Sequence, residues 1–188
     1  MNNHFTIFTV TMALLLSAAP AYSAGHSSIK LLLGKKNLND DWGRDDSMDT
    51  IGFLSTIQPA SLPVGIAIDL YGSGHEHKDA GRNALTSVAE MNIGLRWQSA
   101  VIADSLIPYF GGGLSLVYSE LQAFDAGIKN TYDDTGTGYW IGGGIDYLYA
   151  EHWSFGLEAR YSHVDVKLND DKRNAGGFNW GASVGYHF

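Results

Sequence analysis

Hydrophobic and polar positions alternate one by one along most of this chain, in runs of about ten residues. The clearest run is the last: Phe178, Trp180, Ala182, Val184, Tyr186 and Phe188 fall on one face, and Asn179, Gly181, Ser183, Gly185 and His187 on the other. A period of two residues means an extended strand with two unlike faces. The same pattern predicts strands over Ile29–Lys36, Asp49–Gln58, Leu62–Tyr71, Val88–Gln98, Leu106–Ser119, Tyr139–Tyr149 and Trp153–Ser162. One face carries Leu31, Leu33, Ile51, Phe53, Ile66, Ile68, Ile93, Leu95, Leu114, Ile141, Phe155 and Leu157. The other carries glycine, asparagine and charge.

The connections alternate as well. Asn37–Met48, Gly72–Ser87, Gln122–Gly138 and Lys167–Gly177 read as long polar loops. Pro59–Ser61, Ser99–Ser105 and Ala150–His152 are shorter. Eight strands of this length with long connections at one rim and short ones at the other predict an all-β fold: an eight-stranded antiparallel up-and-down barrel that crosses a membrane. Closure also solves the edge problem of a terminal strand, because a lipid-facing edge would leave its backbone groups unpaired. Trp97, Tyr109, Tyr139, Trp140, Tyr147, Tyr149, Trp153 and Trp180 fall near strand ends or along the apolar faces, as an interfacial girdle requires.

Composition sharpens this picture. There is no cysteine, and the formal net charge of -8 excludes the basic field that a nucleic-acid groove needs. Residues 1–23 read as a secretory signal peptide, with an apolar segment from Ile7 to Leu16 and small residues at Ala21-Tyr22-Ser23, so residues 24–188 form the expected barrel domain.

The polar faces carry Lys30, Asp69, Glu90, Arg96, Asp146, Glu158 and Arg160, with Lys36 near one rim. An eight-stranded interior is only wide enough for side chains to fill. Mixed charges there are expected to pair into a plug, with Glu158 and Arg160 as one such pair, since unpaired burial is costly. Gly111-Gly112-Gly113 and Gly142-Gly143-Gly144 lie within strands and lack a following helix. They are expected to make room in the lumen for Trp140 or Tyr109 rather than to cradle phosphate. His75-Glu76-His77 and the acidic pairs Asp40-Asp41, Asp45-Asp46, Asp133-Asp134 and Asp170-Asp171 read as solvated loop charge, so neither a metal site nor a cofactor is expected.

Ser162-His163-Val164-Asp165 raises the question of catalysis. The lipid A deacylase family uses a late His-x-Ser-Asn run with serine as nucleophile. Here the matching stretch is His163-Val164-Asp165-Val166, without that serine, and Ser162 should point away from His163. No catalytic residue is assigned.

The strand pattern from Ile29 to Phe188 and the ending Val184-Gly-Tyr-His-Phe188 together resemble the small bacterial outer-membrane β-barrel family of OmpA-, OmpX- and OmpW-like proteins. In that resemblance Tyr186 and Phe188 match the C-terminal signal read by the barrel-assembly machinery. It implies an outer-membrane location, contact with outer-membrane lipids and lipopolysaccharide, a monomer, and a non-enzymatic role in surface integrity, adhesion or partner contact. The alternatives are a narrow pore or carrier for small or hydrophobic solutes and, further off, a lipid A-modifying enzyme.

Overall fold

The computed structural model describes residues 27–39, 47–79, 82–100, 105–125, 128–168 and 171–188. The signal-peptide reading, Asp40-Asp41, Asp45-Asp46 and Asp170 lie outside the described residues. The strands are β1 (Ser28–Leu38), β2 (Ser47–Ile57), β3 (Val64–Asp79), β4 (Arg82–Gln98), β5 (Leu106–Asp125), β6 (Ile128–Tyr149), β7 (Trp153–Leu168), β8 (Asp171–Asn174) and β9 (Gly177–His187). From β1 to β8 each strand pairs antiparallel with the next, and β9 pairs with β7 and returns to β1, with Leu31 opposite Val184. β8 and β9 meet β7 in one register: Asp165 faces Asn174 and Ser162 faces Gly177. They are a single strand interrupted at Ala175-Gly176, so the barrel has eight staves.

Its stagger follows from the registers. From Asn92, one path runs through Asp69, Leu54, Lys30 and Gly185 to Ser154. The other runs through Ser115 and Gly138 to Val164. The two paths reach β7 ten residues apart. That offset forces the strands to tilt against the barrel axis.

The inside-out polarity is visible in exposure. Leu33, Phe110, Leu157 and Leu114 are 62–74 % exposed, whereas Asp69, Arg96 and Arg160 are at most 2 % exposed. No solvent-driven fold would choose this arrangement, but a hydrocarbon surround requires it. Among the described residues no helix is long and apolar enough to cross a membrane; the strands do the crossing.

Three sequence expectations need correction. The long loops are mostly ladder: β3 runs to Asp79 before β4 begins at Arg82, β5 to Asp125 before β6 begins at Ile128, and β8 fills part of the stretch 167–177. Beyond the hydrocarbon no lipid selects an apolar face, so the alternation ends while backbone pairing continues. Second, Tyr109 and Trp140 are not girdle residues; both point inward and are buried. They lie on the lumen parity of their strands, which aromatic content alone does not reveal.

The third correction concerns polarity at the outer end. There Leu38, Met48, Val88, Val117, Val164, Val166 and Ala175 form a buried apolar cluster inside the barrel, while Asn37, Asp49, Asp165 and Lys167 on the outer face are exposed. In the membrane band charge is inside. Above it, the ordinary water-soluble arrangement returns, because hydrocarbon no longer covers the exterior.

At the opposite rim the reversals are tight. Leu62 N–H donates to Pro59 O at 3.0 Å. Ala150 and Glu151 adopt φ of 51° and 68°, the left-handed geometry that short hairpin reversals use. The terminal strand is held to its last residue: His187 N–H donates to His152 O at 2.7 Å and Phe188 N–H to Ser27 O at 2.9 Å.

Candidate functional site: the barrel lumen

All seven charged residues assigned to the polar face point into the lumen and are buried, and Lys36 lies among them rather than at a rim. Among the described residues the interior thus holds four cations, Lys30, Lys36, Arg96 and Arg160, and four anions, Asp69, Glu90, Asp146 and Glu158. The balance matters, since a surplus charge in so narrow a space would lack a counterion.

The charges engage across the lumen as well as along its wall. Lys30 on β1 donates to Asp146 on β6, with Nζ 3.0 Å from Oδ2, and its ammonium lies 3.8 Å from the centroid of the Tyr109 ring. Arg96 on β4 spreads along neighbouring strands, with Nη2 2.7 Å from Asp69 Oδ2 and Nη1 2.7 Å from Thr56 Oγ1. Glu90 is the hub. It accepts from Lys36 Nζ at 3.0 Å and Ser115 Oγ at 3.0 Å, and Arg160 Nη2 lies 3.3 Å from it.

Glu158 is not the direct ion partner of Arg160. Its two carboxylate oxygens accept from Tyr71 Oη at 2.6 Å and Tyr109 Oη at 2.7 Å. Arg160 instead stacks 3.6 Å from the centroid of the Tyr71 ring. Glu158 and Arg160 share one face of β7 and meet at Tyr71, one at its hydroxyl and the other at its ring, but beyond it Glu158 turns to Tyr109 and Arg160 to Glu90. Period-two reading places both inside; it cannot say which cation meets which anion across the barrel. Hydrogen bonds this short from a phenol to a carboxylate are among the strong ones, so the two tyrosines are the direct partners of Glu158. Tyr71, Tyr109, Ser115 and Thr56 are therefore members of the network that charge counting misses. The only available sequence signal is their position on the inward parity.

The glycines explain how such large groups fit. Gly111 stands opposite Gly142, and Tyr109 opposite Gly144. A Cβ on Gly144 would come 2.5 Å from Tyr109 Oη, one on Gly142 would come 2.9 Å from Arg160 Cγ, and one on Gly52 would come 2.7 Å from Tyr71 Cε1. Each absent side chain creates space for the residue paired with it on the neighbouring strand: the rings of Tyr71 and Tyr109 and the stem of Arg160.

Elsewhere, Ser162 points inward and is buried, while His163 points outward beside Asp165. The two are on opposite faces of β7, so they cannot act on one substrate atom. His75 lies on β3 at the outer end; the side chains of Glu76 and His77 lie outside the described residues. Among the described residues no group of three or more His, Cys, Asp or Glu side chains converges as a metal site would require. Asp133 and Asp134 lie on the outer part of β6, where Asp134 accepts from the Lys167 backbone N–H. At the C-terminus Tyr186 and Phe188 face outward with their rings edge to face at 5.3 Å, and Tyr186 stacks on His152 at 5.2 Å.

A closed, outward-apolar barrel with a charge-filled interior defines an integral protein of the bacterial outer membrane. The chain belongs to the outer membrane protein beta-barrel domain family, whose model matches residues 6–188. Neisserial surface protein A is similar in structure, with TM-score 0.63 and 15% identity over 87% of this chain and 96% of that one. The attachment invasion locus protein Ail of Yersinia pestis has TM-score 0.58 and 16% identity over 88% and 99%. A major outer membrane protein of Thermus thermophilus has TM-score 0.56 and 8% identity over 88% and 100%. No curated protein matches the sequence. At these identities the likeness is one of fold.

Proposed function

We propose that this protein is a non-enzymatic, non-conducting barrel of the outer membrane, whose outer hairpins present an acidic, polar surface for envelope integrity or contact with other surfaces. The observation that carries the reading is the stacking of two unlike layers in the lumen. A balanced set of ion pairs fills the membrane-spanning part, and the apolar cluster of Leu38, Met48, Val88, Val117, Val164, Val166 and Ala175 lies above it. An ion would have to break buried pairs and then pass a dry layer, and each step is costly. The opposed directions of Ser162 and His163 support the non-enzymatic part.

The protein is proposed to act as a monomer in contact with outer-membrane lipids and lipopolysaccharide. Residues 1–23 are proposed to direct export, and Tyr186 and Phe188 to be read by the barrel-assembly machinery. Ail has been crystallised with the heparin analogue sucrose octasulfate. The formal net charge of -8 here favours a cationic or neutral surface as partner over such a polyanion.

Planar-bilayer recording of the folded protein tests the reading. A baseline without discrete steps is expected. Steady single-channel steps would replace the reading with the narrow-pore alternative, and a change in lipid A mass on expression would replace it with an enzyme.

A further inference from the structure

Where β8 gives way to β9, the chain leaves the ladder for two residues, and the side chain of Asn174 takes its place. Asn174 Oδ1 accepts from Gly176 N–H at 2.8 Å and from Val164 N–H at 3.2 Å. Two backbone donors on one oxygen fix which end of the amide is which. The other end, Nδ2, lies 2.6 Å from His163 Nδ1. An amide nitrogen only donates, so Nδ1 must present its lone pair and the ring proton must sit on Nε2. Nε2 lies 3.7 Å from Asp165 Oδ1.

The arrangement has no place for a second ring proton. A proton on Nδ1 would face the Asn174 amino group. Turning the amide over would set that group against the N–H of Val164 and of Gly176. From the same geometry we infer that His163 and Asn174 form an acid-sensitive clasp: protonation of His163 releases Asn174 from the joint between β8 and β9.

The consequence reaches the lumen. Ala175, beside Asn174, is fully buried in the apolar cluster with Val164 and Val166, and its N–H donates to Val164 O at 2.9 Å. Loosening the joint therefore loosens the layer that caps the ion pairs. His163 faces out of the barrel at the end where the apolar cluster lies, its side chain 41% exposed. Around it stand Asp165, Lys167 and Tyr161 on β7. From β6 come the Tyr139 ring, stacked 5.6 Å away, and farther out Asp134. From β8 comes Asn174. Asp165 is itself an ionisable group beside the ring, so the test must separate the two residues.

Amide hydrogen exchange on the protein folded in lipid vesicles does so, with His163→Asn as the comparison. Asparagine offers an acceptor oxygen close to the position of Nδ1, cannot be protonated, and leaves Asp165 in place. Between about pH 8 and about pH 5, after correction for intrinsic rates, the protection of the Val164 and Gly176 amides is expected to fall by about tenfold or more in the wild type and to stay level in H163N. An equal loss in both proteins, or none in the wild type, overturns the inference. Should H163N fail to fold, nitrogen-15 shifts of the wild-type imidazole decide. A lone pair on Nδ1 near neutral pH, with loss of the Asn174 contact on acidification, supports the clasp. A proton on Nδ1 near neutral pH, or a contact that survives acid, removes it.

Discussion

Arg160 on β7 reaches across the lumen to Glu90 on β4, Nη2 to Oε1 at 3.3 Å, although Glu158 lies two residues away on its own strand face. Glu90 also holds Lys36 at 3.0 Å, so one carboxylate ties three separated strands together. That makes the lumen a cross-brace rather than a lining.

The cross-brace gives an ordered prediction. Glu90→Gln is expected to destabilise the folded barrel by about 3–5 kcal/mol, because two buried cations lose their partner at once. In double-mutant cycles the coupling of Glu90 with Arg160 should exceed that of Glu158 with Arg160. Urea unfolding in lipid vesicles measures both. A larger coupling for the same-strand pair would reverse the assignment.

Tyr71 and Tyr109 each supply one hydrogen bond to Glu158. Removing either hydroxyl, as Tyr71→Phe or Tyr109→Phe, is expected to cost about 1.5–3 kcal/mol, the range for a hydrogen bond to a charged group. In an E158Q background each cost should shrink. Equal costs in both backgrounds would mean that the phenols act through packing alone.

Gly52 leaves room for the Tyr71 ring, and a Cβ there would meet that ring and, at 3.4 Å, Leu32 Cβ. Gly52→Ala should therefore destabilise by about 1–3 kcal/mol, as overpacking does. Most of that cost should vanish when Tyr71 is Ala. A penalty that persists in the Y71A background would place its origin in the backbone.

Phe188→Ala tests the proposed assembly signal apart from stability. The variant is expected to lower the amount of folded barrel in cell envelopes while the purified chain still folds in detergent. Heat-modifiable migration on gels reads both. Equal yields in cells would leave Phe188 only its contacts with Tyr186.

The alternation of Phe178–Phe188 and its seven counterparts determined strand identity, which residues point outward, and the closed architecture in lipid, because hydrocarbon acts on every residue of a strand individually. The same rule put Lys30, Asp69, Glu90, Arg96, Asp146, Glu158 and Arg160 on one side of the wall. It was silent above the membrane, where β3 to β7 keep pairing without an apolar pattern.

Only the tertiary structure decided who meets whom inside. Glu90 finds Lys36 and Arg160, Glu158 finds two tyrosines, and Asn174 finds His163, because a tilted barrel brings together side chains that no local spacing relates. Facing is a property of one strand against its surroundings and is written residue by residue. Partnership depends on stagger, curvature and the space that glycines leave, and these exist only once the barrel has closed.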